Sequence, residues 1–192
     1  MSKLVRVSDP NNKDLRPSEI ADRLKFIDPT PVIMLAGAKS DRAVKVMGGV
    51  SRAAFNTQSI VIDSGISSAI EKFCIRKKIP LIGICPEAMI SYPKLTTRKS
   101  NELTNGHTHF FLIGKEDKSL KFDWGDESGF KYQLAKRIST GRKSGFGGQY
   151  TPPCKIVTVV LGDNEESAIR DIETSLNHQI PIIIIQSSKL SD

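Results

Sequence analysis

Cysteine is scarce. The chain of 192 residues has three, Cys74, Cys85 and Cys154, an odd number, far apart and without a C-x-x-C pair. That excludes a disulfide framework or a thiolate zinc cluster and leaves them as reduced core or strand residues. Aromatic residues amount to 6%, too few to build base-stacking platforms, so nucleic acid is not an expected partner. No segment approaches the ~20 consecutive apolar residues of a membrane span; the most apolar run, Ile180–Gln186, reads as a buried strand. Met1–Pro10 has no apolar core of the signal-peptide kind, which makes the cytosol the expected compartment. The G-x-G-x-x-G, G-x-x-x-x-G-K-[ST] and G-x-S-x-G patterns are all missing, so neither nucleotide fingerprint nor a hydrolase serine elbow applies.

What the chain does have is positive charge, with 28 Lys and Arg against 21 Asp and Glu, a net of +7. Clusters fall at Lys39, Arg42 and Lys45, at Lys72 and Arg76–Lys78, at Arg98 and Lys99, and at Lys136, Arg137, Arg142 and Lys143. Such a balance suits nucleic acid, an anionic membrane, a phosphorylated small ligand or simply a solvated surface.

Short apolar runs predict strands at Leu4–Val7, Pro31–Ala36, Ser59–Ile62, Pro80–Cys85, His109–Ile113, Lys155–Leu161 and Ile180–Ile185. Several are continuous rather than alternating, the pattern of strands covered on both faces of a parallel sheet. Helical spacing predicts helices over Pro17–Lys25, Asp41–Phe55, Ser67–Lys78, Ser128–Ser139 and Glu165–Asn177. The alternation gives an α/β fold, a mainly parallel sheet flanked by helices on both faces. One domain is expected over 1–192, with a strand and helix over 1–30 and the core over 31–192. Two segments, Glu87–Gly106 and Thr140–Pro153, read as long loops.

Ligands of open parallel sheets sit beyond the carboxyl ends of the strands. The residues there are Gly37, Ala38, Lys39 and Ser40; Asp63, Ser64, Gly65, Ser67 and Ser68; Gly162, Asp163 and Asn164; and Ser187, Ser188 and Lys189. Glycine lets backbone approach an oxyanion, helix starts offer free N–H groups, and hydroxyls and cations add contacts. Asp63 and Asp163 are candidate acceptors for ribose hydroxyls. The same small residues also make helix caps and tight turns. The loops after Ala36 and Ile62 are expected to face each other across one crevice, with Gly65→Val blocking it while sparing the fold. His107 and His109 fall short of the three or four ligands of a zinc site, so a structural role is expected for them. No cofactor is expected. Glu165 and Glu166 are weak acid–base candidates at a helix start, where acidic residues also complement the dipole.

Seven segments, taken in order, resemble one family: LVRVS (Leu4–Ser8), PVIMLAGAKS (Pro31–Ser40), IVIDSGISSAIEK (Ile60–Lys72), PLIGICPEA (Pro80–Ala88), NGHTHFFLIG (Asn105–Gly114), KIVTVVLGDNEESAIRDI (Lys155–Ile172) and IPIIIIQSSKLSD (Ile180–Asp192). The chain is similar to the SLOG group in its TRPM-type (LSDAT) branch, found in the cytosolic N-terminal homology region of melastatin-type TRP channels. The resemblance implies a Rossmann-like fold and a module that senses a nucleotide-derived signal such as ADP-ribose or a related NAD metabolite. It departs from the family at several loops. Gly37-Ala38 stands for a glycine pair, Asp63–Ala69 keeps one glycine, Gly162–Ser167 replaces a glycine-rich turn, and Ser187–Leu190 has lysine for arginine. The related LOG enzymes cleave nucleoside monophosphates; their P-G-G-x-G-T-x-x-E signature is missing. The expected partner is therefore a nucleotide-like small molecule, with self-association left open. The alternatives are an N-glycosidic hydrolase using Glu165 or Glu166 and a basic protein binding nucleic acid or anionic membrane.

Overall fold

The structure is a computed structural model. It describes residues 3–7, 17–37, 43–66, 68–90, 102–114, 123–141, 152–161 and 166–185, without the side chains of residues 18, 43, 166 and 167. Among these residues seven strands form one sheet: β1 (Lys3–Val7), β2 (Val32–Ala36), β3 (Ile60–Asp63), β4 (Leu81–Pro86), β5 (His109–Ile113), β6 (Ile156–Leu161) and β7 (Ile182–Ile185). Their order is β1-β5-β4-β3-β2-β6-β7 and every neighbouring pair is parallel. The fold is α/β and Rossmann-like, as expected from the continuous apolar runs. All side chains of β2, β3 and β4 are buried, as parallel strands sheathed on both faces require.

Among the described residues five α-helices cover the sheet: α1 (Pro17–Arg23), α2 (Ala43–Asn56), α3 (Glu71–Lys77), α4 (Ser128–Thr140) and α5 (Glu166–Asn177). On one face, Ile20 and Ala21 of α1 and Phe130, Leu134 and Ile138 of α4 pack on Val32, Met34, Ile62 and Ile84. On the other, Met47 and Ala54 of α2 and Cys74 of α3 pack on Ile33, Leu35, Val61 and Leu81. Of the apolar residues at near-helical spacing in α2, Val44, Met47, Val50 and Phe55, Met47 is buried as that spacing predicts, while Val44 and Phe55 are exposed and Ala54 is buried beside Met47. In α5, Ala168 is buried but Ile169 and Leu176 are exposed. Among the described residues no helix is long and apolar enough to cross a membrane.

α3 starts at Glu71, not at Ser67 as the periodicity suggests. The Ser68 N–H donates to Glu71 Oε1 at 3.0 Å, and Ala69 adopts φ +63°. A left-handed residue interrupts helical dihedrals, so the first turn of the pattern becomes a bend. The helix closes at Lys78, φ 55°, whose N–H returns to Cys74 O and Ile75 O, after Arg76 and Lys77 in the last turn.

Candidate functional site

Chain direction across the sheet reverses beside β2. The chain runs β2, β3, β4, β5 to one side and then resumes at β6 on the other. The topological switch point, where α/β sheets receive their ligands, therefore lies between the carboxyl ends of β2 and β6. Gly37 stands there with φ +70°. A Cβ on Gly37 would lie 2.6 Å from Leu161 O and 3.5 Å from Ala168 Cβ, so both the dihedral and the space demand glycine. Three elements thus converge on Gly37: the end of β2, the end of β6 and the first turn of α5. Glu166 opens that helix. Ala38, Lys39, Ser40, Ser67, Gly162, Asp163, Asn164, Glu165, Ser187, Ser188 and Lys189 lie outside the described residues.

The turn after β3 holds the second of the expected glycines, Gly65. A Cβ on Gly65 would be 3.3 Å from Gly83 Cα and 3.3 Å from Phe110 Cδ1, which places this turn on β4 and β5. Gly65 has φ +73°. Gly65→Val is therefore expected to cost stability directly, by strain and overpacking of about 1–3 kcal/mol. A chemical denaturation curve should show a lowered midpoint, and an unchanged one would refute this placement.

Several donors of this turn are engaged within the chain. The Gly65 N–H donates to Asp63 Oδ1 at 2.8 Å, and Ser68 Oγ donates to Asp63 Oδ2 at 2.7 Å. His107 Nε2 reaches Asp63 Oδ1 at 2.8 Å, and its Nδ1 reaches Thr104 O at 3.1 Å. Both ring nitrogens face acceptors, an arrangement only the doubly protonated ring satisfies. Burial pulls the His107 pKa down, but the Asp63 carboxylate, the Thr104 carbonyl and Glu71 outweigh it and hold it above its ordinary value. Thr104 Oγ1 donates to Glu71 Oε1 at 2.9 Å, and the Thr104 N–H to Gly65 O at 3.1 Å. Asp63, Ser68, Glu71 and His107 are all buried. Both Asp63 oxygens accept hydrogen bonds inside the protein, which ties the β3–α3 turn to the segment before β5. His107 fulfils the expected structural role, and His109 Nδ1 lies 3.0 Å from Thr108 Oγ1. Ser64 is half-buried beside this turn.

A second buried polar cluster escaped the sequence reading. Lys131 Nζ of α4 donates to Asp171 Oδ2 of α5 at 2.6 Å, and Ser128 Oγ donates to Asp171 Oδ1 at 2.7 Å. The Gly125 N–H donates to Glu127 Oε2 at 2.7 Å. Beside them Arg170 pairs with Asp126. Asp171 is one helical turn from Ala168, so the cluster locks α4 to the helix whose start meets Gly37. The one local signal was the Glu127–Lys131 spacing of four. Burial lowers the Lys131 pKa, but Asp171 and Glu127 raise it further, so the ammonium stays charged. Burial pushes the Glu127 carboxyl up, against the pull of Lys131.

Asp63, Glu71, His107, Glu127, Lys131 and Asp171 are buried, which suits them to holding the elements together. Cys74 and Cys85 are free and buried; burial pushes the Cys74 thiol up to about 12 and raises Cys85 as well, so neither is a nucleophile at neutral pH. Among the described residues no three His, Cys, Asp or Glu side chains gather as a metal site.

Comparison with known proteins gives the family. A model described as "SLOG in TRPM, prokaryote" matches residues 30–191. No curated protein matches the chain. Among solved structures, the molybdenum cofactor binding protein from the phototrophic bacterium Rippkaea orientalis is similar at 8% identity and a TM-score of 0.33, over 83% of this chain and 90% of that one. The chain belongs to the SLOG family, in the prokaryotic branch of its TRPM type.

Proposed function

We propose that the chain is a ligand-sensing module that holds a nucleotide-derived anion, ADP-ribose or a related NAD metabolite, at the switch point between β2 and β6. The observation that carries this reading is the convergence on Gly37, where bare backbone, the end of β6 and the first turn of α5 meet. A helix start offers N–H groups without intrahelical partners and a favourable dipole, so a phosphate is the fitting group. The contacts proposed are Gly37, Ala38, Lys39 and Ser40, then Gly162, Asp163 and Asn164, with Ser187, Ser188 and Lys189 from the segment after β7. Asp163 takes over the ribose role, since Asp63 is consumed internally. Ser64 and Ser67 remain secondary candidates. Gly65 and Ser68 support the turn.

Calorimetric titration with ADP-ribose, cyclic ADP-ribose, NAD and AMP at low and high salt tests this. At least one should bind. Lys39→Ala should weaken it about tenfold at low salt and less at high salt, because a screened charge is removed. Failure of all four ligands to bind the parent protein, or indifference to Lys39→Ala, overturns the assignment.

A further inference from the structure

The two edges of the sheet are built differently. β1 carries Lys3 and Arg6, and Arg6 pairs with Glu87 at 2.8 Å. Charged edges of this kind deter another strand from docking. β7 forms the other edge and consists of four isoleucines, Ile182–Ile185. One side of it pairs with β6; among the described residues no strand pairs with the other side.

Neither face of β7 is fully covered. Ile183 is 52% exposed and Ile184 60% exposed, and adjacent strand residues point to opposite faces. Ile184 stands level with Val160, whose side chain packs on Ala168 of α5. On α5, Ile169 and Leu176 are 46% and 63% exposed. They are seven residues apart and so share one flank of the helix. Asp171, which meets α4, lies on the opposite flank, so Ile169 and Leu176 look outward on the β7 side. The four side chains expose on the order of 400 Å² of apolar surface, about half of the ~800 Å² each partner contributes to a stable interface. Glu173, exposed on the same flank, supplies a polar rim.

We propose that a second copy of this chain covers this edge, with its β7 antiparallel to the first across a two-fold axis. A two-fold contact must be self-complementary. A strand of identical residues meets that condition, because isoleucine faces isoleucine at every paired position. The pairing satisfies the open main-chain groups and joins the two seven-stranded sheets into one. β7 then becomes an interior strand, which is what its unbroken apolar sequence fits. No charged side chain lies on the strand itself to oppose the approach of a second one.

Sedimentation of the full chain over a wide concentration range tests the proposal. The expected mass is twice the 21.2 kDa of one chain. Ile184→Lys and Leu176→Glu, both at exposed positions, should each weaken the dimer at least tenfold with unchanged circular dichroism. Amides of residues 182–185 should exchange slowly in the dimer and faster in the variants. A wild type that stays at single-chain mass throughout overturns the proposal, as does a dimer that both variants leave intact. If deleting residues 186–192 turns a single-chain wild type into a dimer, the chain's own tail occupies the edge and the proposal also fails.

Discussion

Lys131→Met should lower the free energy of unfolding by about 3–5 kcal/mol, the range for removing one partner of a buried ion pair. Methionine keeps the length of the stem, so the loss is electrostatic rather than a cavity. The side chains of Lys131 and Asp171 are 4% and 10% exposed, and the 2.6 Å bond between them leaves no room for water. Without the ammonium, the partner left to the Asp171 carboxylate among the described residues is the Ser128 hydroxyl, and Glu127 loses a charge that pulls its pKa down. The pH dependence follows from Glu127. A carboxyl whose folded pKa is raised favours the folded state below its unfolded value, and that advantage is lost as pH rises through the folded value. The deficit of Lys131→Met should therefore be larger at neutral pH than under acidic conditions. Adding Asp171→Asn should recover part of the loss, because the uncompensated charge is gone and Ser128 keeps a partner. Urea unfolding of the two variants at pH 5 and pH 7 measures both effects. A loss under 1 kcal/mol at neutral pH would mean that the pair is solvated in solution.

The strands were legible because burial on both faces of a parallel sheet writes itself as continuous apolar runs. Val32–Ala36, Leu81–Pro86 and Ile156–Leu161 all fall within a residue of the predicted limits. β7 shows the limit of that signal. The run Ile180–Gln186 reads as a buried strand, and the structure places its Ile182–Ile185 on an edge, half open, since composition does not report neighbours. Strand order also decides where the switch point lies. It falls between β2 and β6, a fact of pairing that no local pattern encodes. Lys131 illustrates the same gap. Phe130, Leu134 and Ile138 were readable as the buried stripe of α4, but Lys131 is buried because Asp171, forty residues away, neutralises it. Asp63 looked like a ribose acceptor on position alone, and its real partners, Ser68 and His107, come from a bend and from a separate segment.

Asp63→Asn should remove a pH dependence as well as stability. His107 is held above its ordinary pKa of 6.5 in the folded protein. A histidine raised in this way contributes stability that is fully present below pH 6.5 and is lost as pH rises through the folded value. The wild type should therefore lose stability on going from mildly acidic to mildly alkaline pH. Asparagine preserves the volume and can still accept from the Gly65 N–H, but it carries no charge to offset the burial of the imidazolium. Burial is the largest single influence on His107, and with the carboxylate gone only the Thr104 carbonyl and Glu71 oppose it. The decline with pH should disappear in the variant. At acidic pH its overall loss should reach about 3–5 kcal/mol, because the buried cation has lost its counterion. His107→Gln, which removes the titrating ring and leaves a hydrogen-bonding side chain, should abolish the same slope. Denaturation midpoints of the wild type and both variants at pH 5.5, 6.5 and 8 decide the matter, together with proton NMR titration of the His107 ring. If Asp63→Asn keeps the wild-type slope, some other group titrates and the Asp63–His107 bond does not hold the β3–α3 turn in the way its geometry implies.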